Sequence, residues 1–511
     1  MTQSISSQAV LSSLSLTAGL TNQFQPRILE PEGLGLPVTL FADDRIPVSA
    51  AAERQALGMA ALPGVTHALA MPDIHAGSHV PNGFVLATQG TVIPGAVGGD
   101  INCGMRLLNT GLLRDEVDFP VLLKKIADRI FLGDRRGPLN LPEEDVARIL
   151  AGGVAALSDL SSETVRDHPV WDFMRHDHYL DREIERIEAG GSLPSNVGDV
   201  ARSHIKIGRS QLGTLGAGNH FLEFQVVDDI LHEGLAQALG IERGTLFMMV
   251  HSGSRGLGHS VGTQHKQIAQ SAARGAKTPV AGIYALDAEG AEGKSYLSAM
   301  NAAANYAFAN RLMLAAIAAY TLYDLYGSSA DVRPIYDVAH NIVKREIHDG
   351  RELFVHRKGT TRAFPGSRMQ GTPFETTGQP VLIPGSMGTA SYILVGNEGS
   401  AASLHSVNHG AGRVLARADA LKAPEERRRK DKKSRRLDDD SETRERLTQT
   451  ISDQEFRRAM RGIELVCADK DAIKAEAPQV YKDIDDVMDV VFAAGLATGV
   501  ARVRPVGVIK E

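Results

Sequence analysis

With 511 residues, 43% of them hydrophobic and 23% charged, the chain has the balance of a globular protein and room for a large core. Its formal net charge of −6 excludes a global basic footprint, so a nucleic-acid partner would have to meet a local patch. Two distant cysteines, Cys103 and Cys467, exclude a disulfide framework and favour a reducing, cytoplasmic setting.

Residues 1–36 begin Ser-rich and read as a poorly ordered arm. They lack the basic n-region of a secretory signal, so no targeting segment is expected. Over 37–110, short apolar runs alternate with Gly and Pro; HALAMPDIH, NGFVLAT and GTVIPGAVGGD read as strands ending in loops. The stretch 115–202 is more charged and reads as a helical elaboration, with PVLLKKIADRIF and YLDREIERIEAG as its clearest pieces. Strands and loops return with LGTLGAGNHFLEFQVV and TLFMMVHSGSRGLG, the latter ending in a Ser/Gly loop around Arg255. A helical block over 297–326 is too short in its apolar part for a membrane span and contains Asp324, which predicts a buried helix. PIYDVAHNIVKRE, FVHRKGTTRAF and VLIPGSMGTASYILVG follow as strands with Gly-rich loops. A charged helical insertion over 415–461 and a closing strand, VARVRPVGVIKE, complete the chain. There is no repeat of fixed period, and catalytic-looking loops run from residue 73 to the end. Residues 37–511 are therefore expected to form one α/β catalytic domain around one shared site.

Six loops carry the chemistry. In GGDINCGM, Asp100 and Cys103 stand three apart after an apolar strand, a spacing at which carboxylate and thiolate can face one metal and the thiolate can bridge two. Asn219 and His220 enter a strand that also bears Glu223. His251 is delivered into the loop with Arg255, a fork donor suited to phosphate oxygens. His340 is followed by Asn341, and IPGSMGTAS is a Gly/Ser loop of the phosphate-cradling kind. In NHGAGR, His409 precedes Gly410, Ala411 and Gly412, which leave room for a nucleotidylated imidazole, and Arg413 could offset charge. Each loop alone also fits a structural role, as an Asp turn, a buried thiol or an ordinary tight turn. Together, Asp100, Cys103, His220, His251 and His340 form a two-metal ligand set of borderline softness, open to zinc, manganese or iron. No Walker A, Rossmann or lysine-nucleotidyl motif is present. The residues by themselves point to a metal enzyme acting on a phosphorylated substrate. The run RRRKDKKSRR at 427–436, followed by Asp438–Asp440, reads either as a solvated face whose charges satisfy each other or as a local RNA-tracking patch.

GGDINCGM, LGAGNHFLE, HSGSRGLG, AHN, PGSMGTAS, HGAGR, APQVYKDID and the terminal GVIK occur in the order found in RtcB RNA ligases, and residues 37–510 resemble that family. Ser78 and His79 after MPDIH, Gly99 and Asn102 around the Asp–Cys pair, and the charged insertion depart from its usual pattern. The resemblance implies an RtcB-type fold, mixed sheets with surrounding helices around one deep metal and nucleotide site. It implies two manganese ions on Asp100, Cys103, His220, His251 and His340, with Cys103 shared, and His409 as a guanylylated nucleophile. The implied GTP site comprises Asn219, His220, Phe221, Leu222, Glu223, His340, Asn341, Pro384, Gly385, Ser386, Met387, Ser391, His409, Gly410, Ala411, Gly412, Tyr481 and Lys510. There Glu223 would accept the guanine N–H edge and Tyr481 would pack on the base. Arg255 and Arg413 would contact phosphate or RNA ends.

The implied activity joins RNA 2′,3′-cyclic phosphate or 3′-phosphate ends to 5′-hydroxyl ends, in tRNA splicing or RNA repair, with an archease-type activator as a possible partner and no membrane. Two other readings compete. A two-metal RNA-end phosphoesterase would need no covalent histidine, and a non-catalytic RNA-binding paralogue would not need intact ligands.

Overall fold

The computed structural model describes residues 24–33, 35–133, 137–160, 168–175, 179–415, 420, 451–470 and 472–511. The first 23 residues of the expected arm, and the basic run at 427–436 with Asp438–Asp440, lie outside them. Two mixed sheets organise the described chain. The first has six strands in the order Arg27–Leu29, Val38–Leu40, Val65–His75, Asn82–Thr88, Arg351–Lys358, Asn341–His348. Its outermost strand, Arg27–Leu29, comes from the segment expected as an arm and pairs antiparallel with Val38–Leu40. The second runs Arg333–Ala339, Gly104–Leu113, Thr245–Ser252, Phe221–Ile230, Thr498–Lys510, Ser391–Val395, Pro380–Ile383, with Glu464–Cys467 added parallel to Thr498–Lys510.

Alternation on these strands splits the core. Leu222 and Phe224 face one apolar layer, while Phe221 and Val227 face another across the same sheet. The first layer is filled by the helix Ala291–Tyr326, whose run of alanines lets it lie close to its neighbours. At 36 residues it is about 54 Å long. Most of its residues from Ala299 to Leu322 are buried, in agreement with the buried helix expected there. No described helix is long and apolar enough to cross a membrane.

The structure differs from the sequence reading in three elements. GTVIPGAVGGD contributes only the two-residue strand Thr91–Val92 and then turns into the 3-10 helix Pro94–Val97, because Pro94 cannot donate to a ladder. The expected helix at YLDREIERIEAG shrinks to Tyr179–Ile184 and a 3-10 turn, Glu188–Gly191. The Ser/Gly loop after His251 is only two residues long, since Arg255 begins the helix Arg255–Ala272. Over 451–461, the described end of the charged insertion contains one helix, Asp453–Ala459.

Candidate active site

Strand register gathers the metal-type donors. Gly104 pairs with Ser252 and with Ala339, and Phe221 pairs with His251. Cys103, His220, His251 and His340 therefore stand at one end of four adjacent strands, although they are distant in sequence. The backbone continues this alignment, with His340 N donating to Cys103 O at 2.8 Å and Asn102 N to Asn341 O at 2.8 Å. His340 also lies between the last strand of one sheet and the edge strand of the other, Ala339 and Asn341, so the site sits where the two sheets meet.

Cys103 Sγ lies 3.2 Å from His220 Nε2 and 3.2 Å from His251 Nε2. His251 Nε2 lies 3.2 Å from His340 Nε2, and Asp100 Oδ2 lies 3.0 Å from His220 Nε2. The contacts form a chain, Asp100, His220, Cys103, His251, His340, with the thiol at its centre. His220 Nδ1 lies 3.1 Å from Leu215 O, a contact that holds the ring with Nε2 facing the cluster. Burial holds His251 and His340 well below the ordinary histidine range, so both are neutral. Burial and the neighbouring Asp100 push the Cys103 thiol well up. Burial alone would raise the Asp100 carboxyl, but its hydrogen bond and charge interaction with His220 bring it below the usual range.

The donors fit a divalent cation. Ligand atoms on a tetrahedral ion at about 2.0–2.3 Å are roughly 3.5 Å apart, close to the separations seen. The ligand atoms of Cys103, His220 and His251 all lie within 4.8 Å of one another. An ion there would also favour the thiolate that burial now opposes.

Buried polar side chains from the long helix pin the loops bearing these donors. Arg311, fully buried, donates from Nη1 to Asn102 O (2.6 Å) and Ser252 O (3.0 Å), from Nη2 to Asn102 Oδ1 (3.2 Å), and from Nε to Asp337 Oδ1 (2.9 Å). It thus clamps the residue before Cys103 to the residue after His251. Asn310 joins Thr214 O, Ser252 Oγ and Gly253 O, each at 3.1 Å. Both were hidden in a stretch that reads simply as apolar helix.

His409 approaches from a separate two-stranded sheet, its ring 4.8 Å from that of His340. It follows the strand Ser406–Asn408, which pairs with Thr360–Arg362. Asp73 Oδ2 accepts from His409 Nδ1 at 2.8 Å and from its backbone N at 3.2 Å. Because a carboxylate oxygen accepts here, Nδ1 carries the proton and Nε2 keeps the lone pair that a nucleophile needs. Asp73 was not singled out from the sequence; its signal was a carboxylate at the end of an apolar strand, in MPDIH. Lys358, from the neighbouring sheet strand, is another missed group: burial, with Lys266 nearby, lowers it to about 7.

The Gly-rich loops assemble beside His409. Gly410 abuts the carbonyl of Pro384, and Gly385 N donates to Ser391 Oγ at 3.2 Å. Ser386 N donates to Thr389 Oγ1 at 2.7 Å, while Met387 and Ala411 are buried. Gln225 Nε2 links Glu223 Oε1 (2.6 Å) to Ser391 Oγ (3.1 Å). Burial raises Glu223 to about 7, against the hydrogen bond from Gln225 and the charge of Lys510. Lys510 Nζ lies 5.8 Å from the centre of the Phe221 ring. Leu222 points away into the core, and Asn219 is half-buried in the loop before His220.

Other expected contacts have partners within the chain. Asn341 donates to Asp100 O (3.2 Å) and accepts from Gly359 N (2.8 Å). Arg255 donates to Thr214 Oγ1 at 3.1 Å and lies 3.8 Å from Glu511. Arg413 bonds Glu476 (3.2 Å), Ala475 O (2.6 Å) and Leu415 O (3.0 Å), and its guanidinium lies over the Tyr481 ring at 5.1 Å. Tyr481 in turn donates to Glu476.

A family model described as tRNA-splicing ligase RtcB matches residues 55–448 and 436–511. The tRNA-splicing ligase RtcB of Thermococcus kodakarensis is 38% identical over 500 residues, 93% of this chain and 95% of that protein. That of Archaeoglobus fulgidus is 38% identical over 483 residues, covering 90% and 91%. The RNA-splicing ligase RtcB of Mycobacterium tuberculosis is 36% identical over 476 residues, covering 89% of this chain and all of that protein.

Proposed function

The chain belongs to the RtcB family of RNA ligases, and from that premise we propose that it joins RNA 2′,3′-cyclic phosphate or 3′-phosphate ends to 5′-hydroxyl ends, using GTP and a guanylylated His409. The observation that carries this reading is the pairing of His409 Nδ1 with Asp73 beside the Cys–His cluster. A two-metal phosphoesterase needs the metal donors but no covalent histidine and no guanine pocket.

In the proposed reaction, His409 Nε2 attacks the α-phosphorus of GTP and pyrophosphate leaves. As Nε2 bonds to phosphorus the ring gains positive charge, and the carboxylate on Nδ1–H offsets it. GMP then passes to the RNA 3′-phosphate, and the 5′-hydroxyl of the second strand displaces it. A cyclic phosphate is first opened to the 3′-phosphate. Two manganese ions on Asp100, Cys103, His220, His251 and His340 would offset phosphate charge and orient the reacting oxygens. Glu223 accepts the N–H edge of guanine, which selects GTP over ATP. Loops 384–391 and 409–412 cradle the phosphates with backbone N–H groups. Burial of the site keeps bulk water from a reactive phosphoramidate.

The test is incubation of the chain with two RNAs, one ending in 3′-phosphate and one beginning with 5′-hydroxyl, in manganese with GTP or ATP. A joined product with GTP alone supports the reading. Loss of the 3′-phosphate without joining would support the phosphoesterase, and binding without either reaction the non-catalytic paralogue.

A further inference from the structure

We infer that Lys482 is a positioning residue for the nucleophile: it holds open the bulge that aims Asp73 at His409. The inference rests on the ligase reading above.

The strand Val65–His75 pairs in steady register with Asn82–Thr88 from His67 to Ala70, then loses register until His75. A bulge of this kind frees backbone groups from the ladder and redirects side chains. Here it turns the fully buried Asp73 toward His409 and leaves the carbonyls of Pro72 and Ile74 without ladder partners. Buried carbonyls need donors. Lys482, only 6% exposed, supplies both: its Nζ donates to Pro72 O at 2.9 Å and to Ile74 O at 2.8 Å. One ammonium group thus spans the residue whose carboxylate holds His409.

The same residue fixes the opposite side. Lys482 N donates to Gly412 O at 2.9 Å, tying the loop of His409 to the segment that carries Lys482. Gly412, at φ +77°, leaves no space for a side chain, since a Cβ there would stand 2.2 Å from Asp73 O. Gly83, at φ +72°, closes the other flank, where a Cβ would stand 2.4 Å from Asp73 Oδ1. The bulge and the nucleophile loop are therefore packed in backbone contact, with Lys482 bonded to both. Among the described residues, the hydrogen bonds of Lys482 reach Pro72, Ile74 and Gly412 and not the metal-type donors. Its loss should disturb the alignment of His409 and leave the ions in place.

The test uses the full chain, manganese and α-labelled GTP in single turnover. Lys482→Met should lower the maximal labelling rate at least 100-fold. The GTP concentration for half-maximal rate should stay within threefold of wild type, and manganese per chain should be unchanged. Lys482→Arg, which can still donate to both carbonyls, should recover at least tenfold of that loss. A Lys482→Met rate within threefold of wild type overturns the inference. So does a loss that appears wholly as weaker GTP saturation, or a Lys482→Arg variant no better than Lys482→Met. If Lys482→Met does not fold, Lys482→Gln is judged by the same criteria. A wild-type chain that takes no label overturns the ligase reading and the inference with it, whereas a labelled wild type with an equally fast variant overturns the inference alone.

Discussion

Replacing Arg311 with methionine should separate the metal centre from the fold that supports it. The guanidinium is fully buried and makes four hydrogen bonds, two to backbone carbonyls at Asn102 and Ser252, one to Asn102 Oδ1 and one to Asp337. Breaking a buried ion pair from one side costs about 3–5 kcal/mol. Asp337 keeps Arg106 at 3.2 Å, so the lower end, about 3 kcal/mol, is expected. Loss of a group that orients metal ligands typically weakens affinity by about 10–100-fold. Manganese competition titrations and the thiolate-to-metal absorption of the cobalt-substituted protein would read this effect, with denaturant midpoints reading stability. Arg106→Met is the control. It removes the other cation from Asp337, and the Arg106–Glu183 pair, without touching the donor loops. It should lose comparable stability while holding manganese within threefold of wild type. The reasoning fails if Arg311→Met keeps wild-type metal affinity, or if Arg106→Met weakens it equally.

Three further outcomes are expected. Cys103→Ala should lose at least one ion per chain and most guanylylation, because the thiol stands at the centre of the donor chain; metal analysis at wild-type stoichiometry would contradict this. Asp73→Asn should slow GMP transfer to His409 by about 100-fold or more while metal content holds, since the amide cannot fix the same tautomer as a carboxylate; labelling at the wild-type rate would remove Asp73 from the mechanism. Glu223, at about 7, binds its proton more tightly in the folded chain than a free carboxyl does. Its contribution to stability should therefore be full below about pH 4.5 and be lost as pH rises through about 7, and GTP affinity should strengthen over pH 6–8 as the acceptor ionises. Glu223→Gln should flatten both profiles, and an unchanged slope in either would refute the assignment.

The metal-type donors were legible because each stands at or beside a strand end, and alternation shows which side chains leave the core. Their convergence was not, since it depends on register between strands up to 237 positions apart, from Cys103 to His340. Asp73 lies 336 positions from His409, and no local pattern links them. Arg311 and Asn310 were masked by the alanine-rich helix around them, where two polar residues barely alter the apolar average. The helix beginning at Arg255 was misread because Gly253, Gly256 and Gly258 suggest a loop. The structure shows a packing reason for two of them: a Cβ at Gly258 would stand 1.8 Å from Ser254 Oγ, and Gly256 sits against Ile207 and Gln211. The strand expected in GTVIPGAVGGD stopped at Pro94, whose effect on the ladder outweighed the apolar run.

The covalent step is the most direct test of the whole account. The wild-type chain and His409→Ala would each be incubated with manganese and α-labelled GTP, denatured, and digested to locate retained label. The account predicts acid-labile label on the peptide containing His409 in the wild type and none in the variant, with metal content equal in both. Undiminished label in His409→Ala, or label on a different residue of the wild type, would contradict it.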